Sequence, residues 1–511
     1  MMVARTHSVA LLGMTGSMVE VEADMGNGLP TLMIIGLPDT ALADARDRVR
    51  AAATNSGCPL PVSKITVNLS PAALPKHGST FDLAIAMAIL AAAGTISAAS
   101  VESVVHLGEL SLDGRLRPMN GVLPAIAAAA RAGFRTFVVP AGNRHEAELV
   151  PGVRIVPVAS MRDAAIFHGG AFDPIDLEVL EGSDAADDSE PAPELADVIG
   201  NPDAVLALVA AAAGGHHMFM LGPPGAGKTM LASRLTGLLP DLDTARALEV
   251  SSIRSLSGAG VPRTLATRPP FESPHHTASA AALIGGGSKQ IRPGAAARAC
   301  HGVLFLDEAP EFATNVLDAL RQPLESGVIS IHRANAVAKF PARFQLILAA
   351  NPCPCGQYGA AELNCTCTPN TRRRYLARLS GPLLDRIDIQ VQVRRVTAGE
   401  LRLARTEPRL NTAQAREHVV SARRQMAHRL RGTGWHLNSE VAGEWLRSGP
   451  HRLHHESTEV LDRALERGGI TMRAYDRILR VAWTLADLDG VDQPERDHIG
   501  RALYLRKSLA L

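Results

Sequence analysis

Gly222-Pro223-Pro224-Gly225-Ala226-Gly227-Lys228-Thr229 is the stretch on which the reading of this chain turns. It follows His217-Met218-Phe219-Met220-Leu221, which reads as a short buried strand, and precedes Met230 to Leu239, which reads as a helix. Strand, glycine loop and helix in that order let backbone N–H groups converge on phosphate oxygens at the positive end of the helix. In such a loop Lys228 reaches the β- and γ-phosphates of a nucleotide and Thr229 puts its hydroxyl on Mg²⁺. Further along, Gly302-Val303-Leu304-Phe305-Leu306-Asp307-Glu308 reads as a buried strand ending in two acids. Asp307 is placed to hold Mg²⁺ and Glu308 to polarise an attacking water. The two segments together predict an α/β core that uses ATP and Mg²⁺.

The rest of the composition sets bounds. A chain of 511 residues exceeds one hydrophobic core and predicts roughly two to four domains. It is 46% hydrophobic but only 4% aromatic, so its helices must pack through Ala, Leu and Val. A net charge of +1 excludes a global polyelectrolyte, so any nucleic-acid site has to be local. No apolar run is long enough to span a bilayer, and Arg5, His7, Glu20 and Glu22 interrupt the start. The expectation is a cytoplasmic protein with no membrane partner. Four of the six cysteines lie in Cys353-x-Cys355 and Cys365-x-Cys367, a local site. Four thiolates can surround a structural Zn²⁺, while reduced thiols and a redox pair stay open.

The N-terminal region mixes strands and helices. Strands are predicted at Val19 to Ala23, Leu32 to Leu37, Lys64 to Leu69, Val105 to Leu112 and Thr136 to Pro140. Helices are predicted from Asp39 to about Ser56, Phe81 to Ala93 and Leu123 to Ala132. Glu178 to Glu194 is acidic and Pro-bearing, which reads as a solvated spacer between domains. Two segments resemble the proteolytic domain of the Lon family: Pro75-Lys76-His77-Gly78-Ser79-Thr80-Phe81-Asp82-Leu83, and Gly108 to Leu116 continuing into Pro118-Met119-Asn120-Gly121-Val122-Leu123. The resemblance puts Thr80 at the nucleophile position and Leu123 at that of the lysine base. Leucine takes no proton, so nucleophile activation fails there. Residues 1–172 are therefore expected to keep a Lon-like α+β fold without its dyad.

After the phosphate loop, Phe344 to Ala350 predicts a strand ending at Asn351, and Val328 to Arg333 with Ala336 to Phe340 predicts a hairpin around Ala334-Asn335. Pro269 to Pro293 is a Gly-, Ser- and His-rich insertion carrying Lys289 and Arg292. Arg372-Arg373-Arg374-Tyr375 is basic and fits either nucleic acid or a charged helix face. Ala413 to Arg431, with Arg416, Arg423, Arg424 and Arg429, opens an all-helical C-terminal stretch whose basic face fits a DNA surface or, the favoured reading, plain solubility.

This order of parts resembles the magnesium-chelatase-like AAA+ family, and within it the YifB/ComM group. The phrases Pro274-His275-His276-Thr277, Leu283-Ile284-Gly285-Gly286-Gly287, Arg292-Pro293-Gly294 and Ala350-Asn351-Pro352-Cys353-Pro354-Cys355-Gly356 carry the likeness. It implies that Val198 and Ile199 contact adenine, that Asn351 is the sensor 1 residue and that Arg473 is sensor 2. It also implies that Arg386 is a finger reaching a neighbouring subunit, although an ordinary pair with Asp385 or Asp388 stays open. A hairpin before sensor 1 would project into the pore, where Arg333 and Lys339 either meet DNA phosphates or stay solvated. Asn201 and Ala474 depart from the family habit. The expected organisation is a Lon-protease-like domain (1–172), a linker (173–196), an AAA+ P-loop core (197–395) and a helical lid (396–511). The expected function is a hexameric ATPase acting as a helicase or branch-migration factor in DNA uptake and recombination. A chelatase motor subunit, an ATP-dependent protease and a non-enzymatic scaffold are the rivals.

Overall fold

Small residues decide the N-terminal sheet. The computed structural model describes residues 3–36, 39–72, 74, 76, 79–182, 193–287, 291–333, 336–358, 365–404 and 408–507. Outside them lie Leu37, then Pro75, His77 and Gly78 of the first Lon-like motif, most of the acidic spacer, Lys289, and the hairpin turn Ala334-Asn335. The first strand, Ala4–Leu12, turns Ala4, Thr6, Ser8 and Ala10 inward. Thr6 shares a hydrogen bond of 2.7 Å with His106 Nδ1, and His106 Nε2 meets His168 Nε2 at 2.8 Å, so this buried polar chain is internally satisfied. The seven strands run in the order Thr31–Ile35, Lys64–Ser70, Thr15–Gly26, Ala4–Leu12, Val105–His106, Thr136–Pro140, Arg154–Val158. Pairing is parallel except where Thr15–Gly26 meets its two neighbours. The helix Asp82–Ala92 is buried along its whole length; beyond Asp82, which pairs with Arg48, it is wholly apolar. The single strand expected over Val105 to Leu112 is instead two short ones. Gly108 N turns to Thr80 O, and Glu109–Leu110 pairs with Leu116–Arg117 away from the main sheet.

A second sheet has five parallel strands in the order Phe271–Glu272, Val303–Leu306, Gln345–Ala350, Met218–Leu221, Ile389–Gln392. The inner strands are continuous apolar runs because helices cover both faces. Part of the Pro269 to Pro293 insertion therefore belongs to the sheet, since Phe271 pairs with Val303. The chain is thus a multidomain α/β protein.

The apolar core of this sheet does not stop where the helical stretch begins. Ala207, Met218 and Val303 share one cluster with Val419, Ile478 and Trp483 of the helices Thr412–Arg429 and Met472–Asp489. This corrects the reading of Ala413 to Arg431 as a helix with a solubilising basic face for two of its four arginines, while Arg424 stays exposed. Arg423 is half-buried and donates to Ala212 O at 2.6 Å, and desolvation pulls its guanidinium down to about 10. Arg429 Nη2 donates to buried Asp487 at 2.7 Å and lies 4.3 Å over the Trp483 ring. These two arginines tie helices together.

The same seam holds a buried ionic knot. Asp388 accepts from His216 Nδ1 at 3.0 Å and from Arg477, while His216 Nε2 bonds Thr484 at 2.7 Å. Burial raises the Asp388 carboxyl, but the Arg477 charge and the His216 hydrogen bond outweigh it and hold the group well below the usual carboxylate range. Asp388→Ala leaves Arg477 without its buried counter-charge, an expected loss of about 3–5 kcal/mol. Denaturant unfolding measures it, and a loss below about 1 kcal/mol, the worth of an exposed pair, contradicts this account.

The N-terminal sheet docks on the second domain in two places. Met14 N donates to Lys339 O at 3.2 Å, and Leu11, Leu12 and Met14 pack into the second core. The helix Val122–Arg131 lies on Thr244–Ser257, with Gly121 N bonded to Ser255 Oγ at 3.0 Å and Ser255 Oγ to Glu146 at 2.6 Å. Leu180, Glu181 and Gly182 line a cavity of about 730 Å³ with Arg117, Asn143 and Ser255. Leu180 and Gly182 lie directly against Gly142, so the start of the acidic spacer rests on the N-terminal region. Among the described residues no helix is long and apolar enough to cross a membrane.

Candidate functional site

The phosphate loop leaves the carboxyl end of Met218–Leu221, the end of a parallel sheet where ligands settle. Gly225 and Gly227 take φ values of +75° and +90°, conformations that favour glycine, and Gly227 caps the helix Lys228–Leu238. An anion at that N-terminus meets unpaired N–H groups and the positive end of the helix dipole. The Lys228 ammonium folds back over the loop, donating to Gly222 O at 2.7 Å, Pro223 O at 3.1 Å and Asn351 Oδ1 at 3.0 Å. Burial lowers its pKa, against the opposing pull of Asp307 and Glu308.

Sheet order explains why these side chains meet. Gln345–Ala350 lies between the phosphate-loop strand and Val303–Leu306, so Asn351 emerges between Lys228 and the acid pair. Thr229 Oγ1 donates to Asp307 Oδ2 at 2.6 Å. Asp307 Oδ1 accepts the Glu308 N–H at 2.9 Å. Glu308 holds φ +50°, an uncommon backbone for a residue with a side chain, and such strain gathers at functional sites. The oxygen donors Thr229 and Asp307 suit a hard cation such as Mg²⁺.

Val198 and Ile199 border a mainly apolar cavity of about 180 Å³ with Asn201, Ala226, Gly227 and Met230, a space suited to a flat base beside the loop. Asn201, at φ +53°, donates to Arg394 O and accepts from Arg394 N, both at 2.8 Å. The short amide thereby replaces a strand partner and fixes one wall of that cavity.

Arg386 and Arg473 are not gathered with the phosphate loop. Arg386 donates to Pro382 O at 2.6 Å and pairs with Glu325, not with Asp385 or Asp388. Arg473 has a side chain 79% exposed and stands 3.7 Å from Asp385. The hairpin forms as expected, Val328–Arg333 against Ala336–Pro341, with Ser330 opposite Lys339 and Arg333 opposite Ala336. Strand alternation puts Arg333 on the face of Ile329 and Phe340, and Lys339 on the face of Ser330 and His332. The two cations are both exposed yet lie on opposite faces, with Arg333 at the tip. The four sulfurs of Cys353, Cys355, Cys365 and Cys367 all lie within 4.8 Å of one another.

Two contacts escaped the sequence. His276 Nδ1 stands 3.3 Å from Glu308 Oε2, and Arg395 Nε donates to Pro224 O at 3.3 Å. The phrase Pro274-His275-His276-Thr277 was the available signal for the first. Nothing local marks Arg395.

Residues 194–401 match the family described as magnesium chelatase, subunit ChlI, residues 21–143 match subunit ChlI of Mg-chelatase, and residues 409–506 match the magnesium chelatase, subunit ChlI C-terminal family. An uncharacterised protein of Mycobacterium tuberculosis is 48% identical over 511 residues, 99% of each chain. Competence protein ComM of Haemophilus influenzae is 42% identical over 514 residues, 100% of this chain and 99% of its own. Uncharacterised YifB of Escherichia coli is 39% identical over 509 residues, 98% and 96% of the two chains. A shorter likeness, 28% over 175 residues, joins 32% of this chain to 22% of a Mycolicibacterium smegmatis Lon protease. A glycine loop, an acid pair and Asn351 meeting on one parallel sheet, and full-length kinship with both named relatives, lead to one conclusion: the chain belongs to the YifB/ComM family of magnesium-chelatase-like AAA+ proteins.

Proposed function

We propose that this protein is a Mg²⁺-dependent ATP hydrolase that assembles as a homo-oligomeric ring, a hexamer, and moves on DNA as a helicase or branch-migration motor. The observation that carries the ATPase part is the meeting of Lys228, Thr229, Asp307, Glu308 and Asn351 at one end of one sheet. Lys228 exchanges the Gly222 and Pro223 carbonyls for phosphate oxygens. Thr229 and Asp307 hold Mg²⁺, which supplies positive charge to the developing phosphate oxygens. Glu308 aligns the water, Asn351 orients it near the γ-phosphate, and Val198 and Ile199 hold the base. We assign residues 1–172 to a Lon-like domain without its dyad, 173–196 to the linker, 197–395 to the core and 396–511 to the lid.

The DNA part is supported by the kinship with a competence protein over the whole chain and by the exposed Arg333 and Lys339 of the hairpin. The chelatase reading draws on the family descriptions, and it predicts an ATPase indifferent to DNA. Against a protease stands Leu123, fully buried at the base position with its N–H on Glu146 at 2.8 Å. ATP turnover assayed with single-stranded, duplex and branched DNA tests the proposal, and turnover indifferent to all three rejects the motor reading.

The ring makes a further demand on Arg386. Its side chain is 17% exposed and pairs with exposed Glu325, a contact it would have to give up to reach a neighbour's phosphates. Arg386→Ala is expected to leave ATP binding intact and to lower assembly turnover by about 10³-fold or more. Mixing it with Lys228→Ala joins two defects on different subunit faces and restores part of the activity. No recovery at any mixing ratio removes the trans role.

A further inference from the structure

The cysteine turn is not a remote appendage, because it touches the phosphate loop. Gly356 N donates to Cys353 O at 2.9 Å, closing a turn between the first two cysteines and the loop beyond. A Cβ added at Gly356, whose φ is +74°, would meet Pro224 Cγ at 2.5 Å and Cδ at 2.6 Å. The turn and the phosphate loop are thus in backbone-close contact that only glycine permits. From the other side, Asn351 precedes the turn and accepts from Lys228. Two contacts, Gly356 on Pro224 and Asn351 on Lys228, bracket the phosphate loop from one short segment.

The sulfurs themselves are arranged around a point. Cys353 Sγ is 3.3 Å from Cys355 Sγ and 3.7 Å from Cys365 Sγ, and Cys355 and Cys365 are 3.6 Å apart. Sulfurs bonded to one tetrahedral ion at about 2.3 Å stand about 3.8 Å from each other. All four cysteines are free thiols. Thiols are weak hydrogen-bonding groups, so mutual hydrogen bonds give little reason to collect four of them. Arg372, on the helix that follows Cys367, lies 3.8 Å over the Tyr358 ring and joins the two halves of the site. An all-sulfur, four-ligand set selects a soft ion of the zinc class, rejects Mg²⁺ and Ca²⁺, and has no open position for catalysis.

We propose that Cys353, Cys355, Cys365 and Cys367 bind one zinc-class ion as thiolates, and that the occupied site braces the phosphate loop so that metal occupancy sets nucleotide affinity. The coupling rests on the phosphate loop being the nucleotide site, whereas the metal site does not. Without the ion the turn loses its anchor, Gly356 withdraws from Pro224, and Asn351 no longer positions Lys228. Binding releases the thiol protons, so affinity for the ion falls with acidity.

The test uses the full chain. Elemental analysis of purified protein is expected to give about one zinc per chain. Stripping with a zinc-selective chelator, followed by excess Mg²⁺, is expected to weaken binding of a fluorescent ATP analogue roughly tenfold or more, and added zinc to restore it. Cys365→Ser with Cys367→Ser is expected to lose the metal and the affinity together. If that variant fails to fold, Gly356→Val separates the two halves, since it keeps the ligands but pushes the turn off Pro224. It should retain zinc and lose nucleotide affinity. Protein that holds no zinc, even after incubation with the zinc salt, overturns the site. Stripped protein with unchanged nucleotide affinity overturns the coupling. A zinc-loaded wild type that binds no nucleotide overturns the phosphate-loop reading and the coupling with it, while its zinc content still upholds the thiolate site.

Discussion

Lys228→Ala is expected to lower ATP turnover by about 10²–10³-fold, the cost of removing one preorganised charge from a phosphoryl-transfer site. Lys228 lies among the carbonyls of Gly222 and Pro223 and the amide of Asn351, and alanine leaves those three acceptors without their donor. Nucleotide binding falls too, because the charge partner of the phosphates is gone. Glu308→Gln separates binding from chemistry. Glutamine keeps the shape and can still accept from His276, but it no longer draws a proton from water. Turnover should fall by about 10²–10⁴-fold while ATP binding holds, leaving the protein trapped with bound nucleotide. Single-turnover kinetics beside equilibrium binding measures both. Wild-type rates in both variants refute the nucleotide-site assignment.

The parts of this site that could be read in the sequence are those whose chemistry is contiguous. The phosphate loop carries its glycines, lysine and threonine in eight successive positions, and the acid pair ends an apolar run. The hairpin was legible because alternation is local, although it also says that Arg333 and Lys339 lie on opposite faces, which residue type alone hides. The strand Ala4–Leu12 was missed because its inward residues include Thr6 and Ser8, which break the apolar alternation; Thr6 is accommodated by a distant partner, His106, and the Ser8 hydroxyl by none among the described residues. Arg423 and Arg429 looked like surface charge because their acceptors, Ala212 O and Asp487, come from other helices. Gly356 stands in the sequence as the end of the phrase Ala350 to Gly356. Its contact with Pro224 depends on strand order in the sheet, which no local pattern encodes.

The hairpin carries the second large expected effect. If its cations hold DNA phosphates, Arg333→Ala with Lys339→Ala should weaken DNA binding uniformly across sequences, since phosphate contacts carry no base information. Each lost contact should reduce the slope of log affinity against log salt by about one unit. The opposite faces make the single variants informative. Arg333 stands at the tip, free on the surface, whereas Lys339 has its backbone carbonyl held by Met14 of the N-terminal sheet. Arg333→Ala should therefore cost more affinity than Lys339→Ala, because a strand tethered at Lys339 has less freedom to follow a moving phosphate chain. Basal ATP turnover should survive in both, as neither residue hydrogen-bonds the phosphate loop, the acid pair or Asn351 among the described residues. Stimulation by DNA and strand movement should fall together if the hairpin is where hydrolysis is felt as force. If the hairpin carries that force, its bond to Met14 would pass part of it to the N-terminal sheet. Normal DNA stimulation and an unchanged salt slope in the double variant would remove DNA from the hairpin.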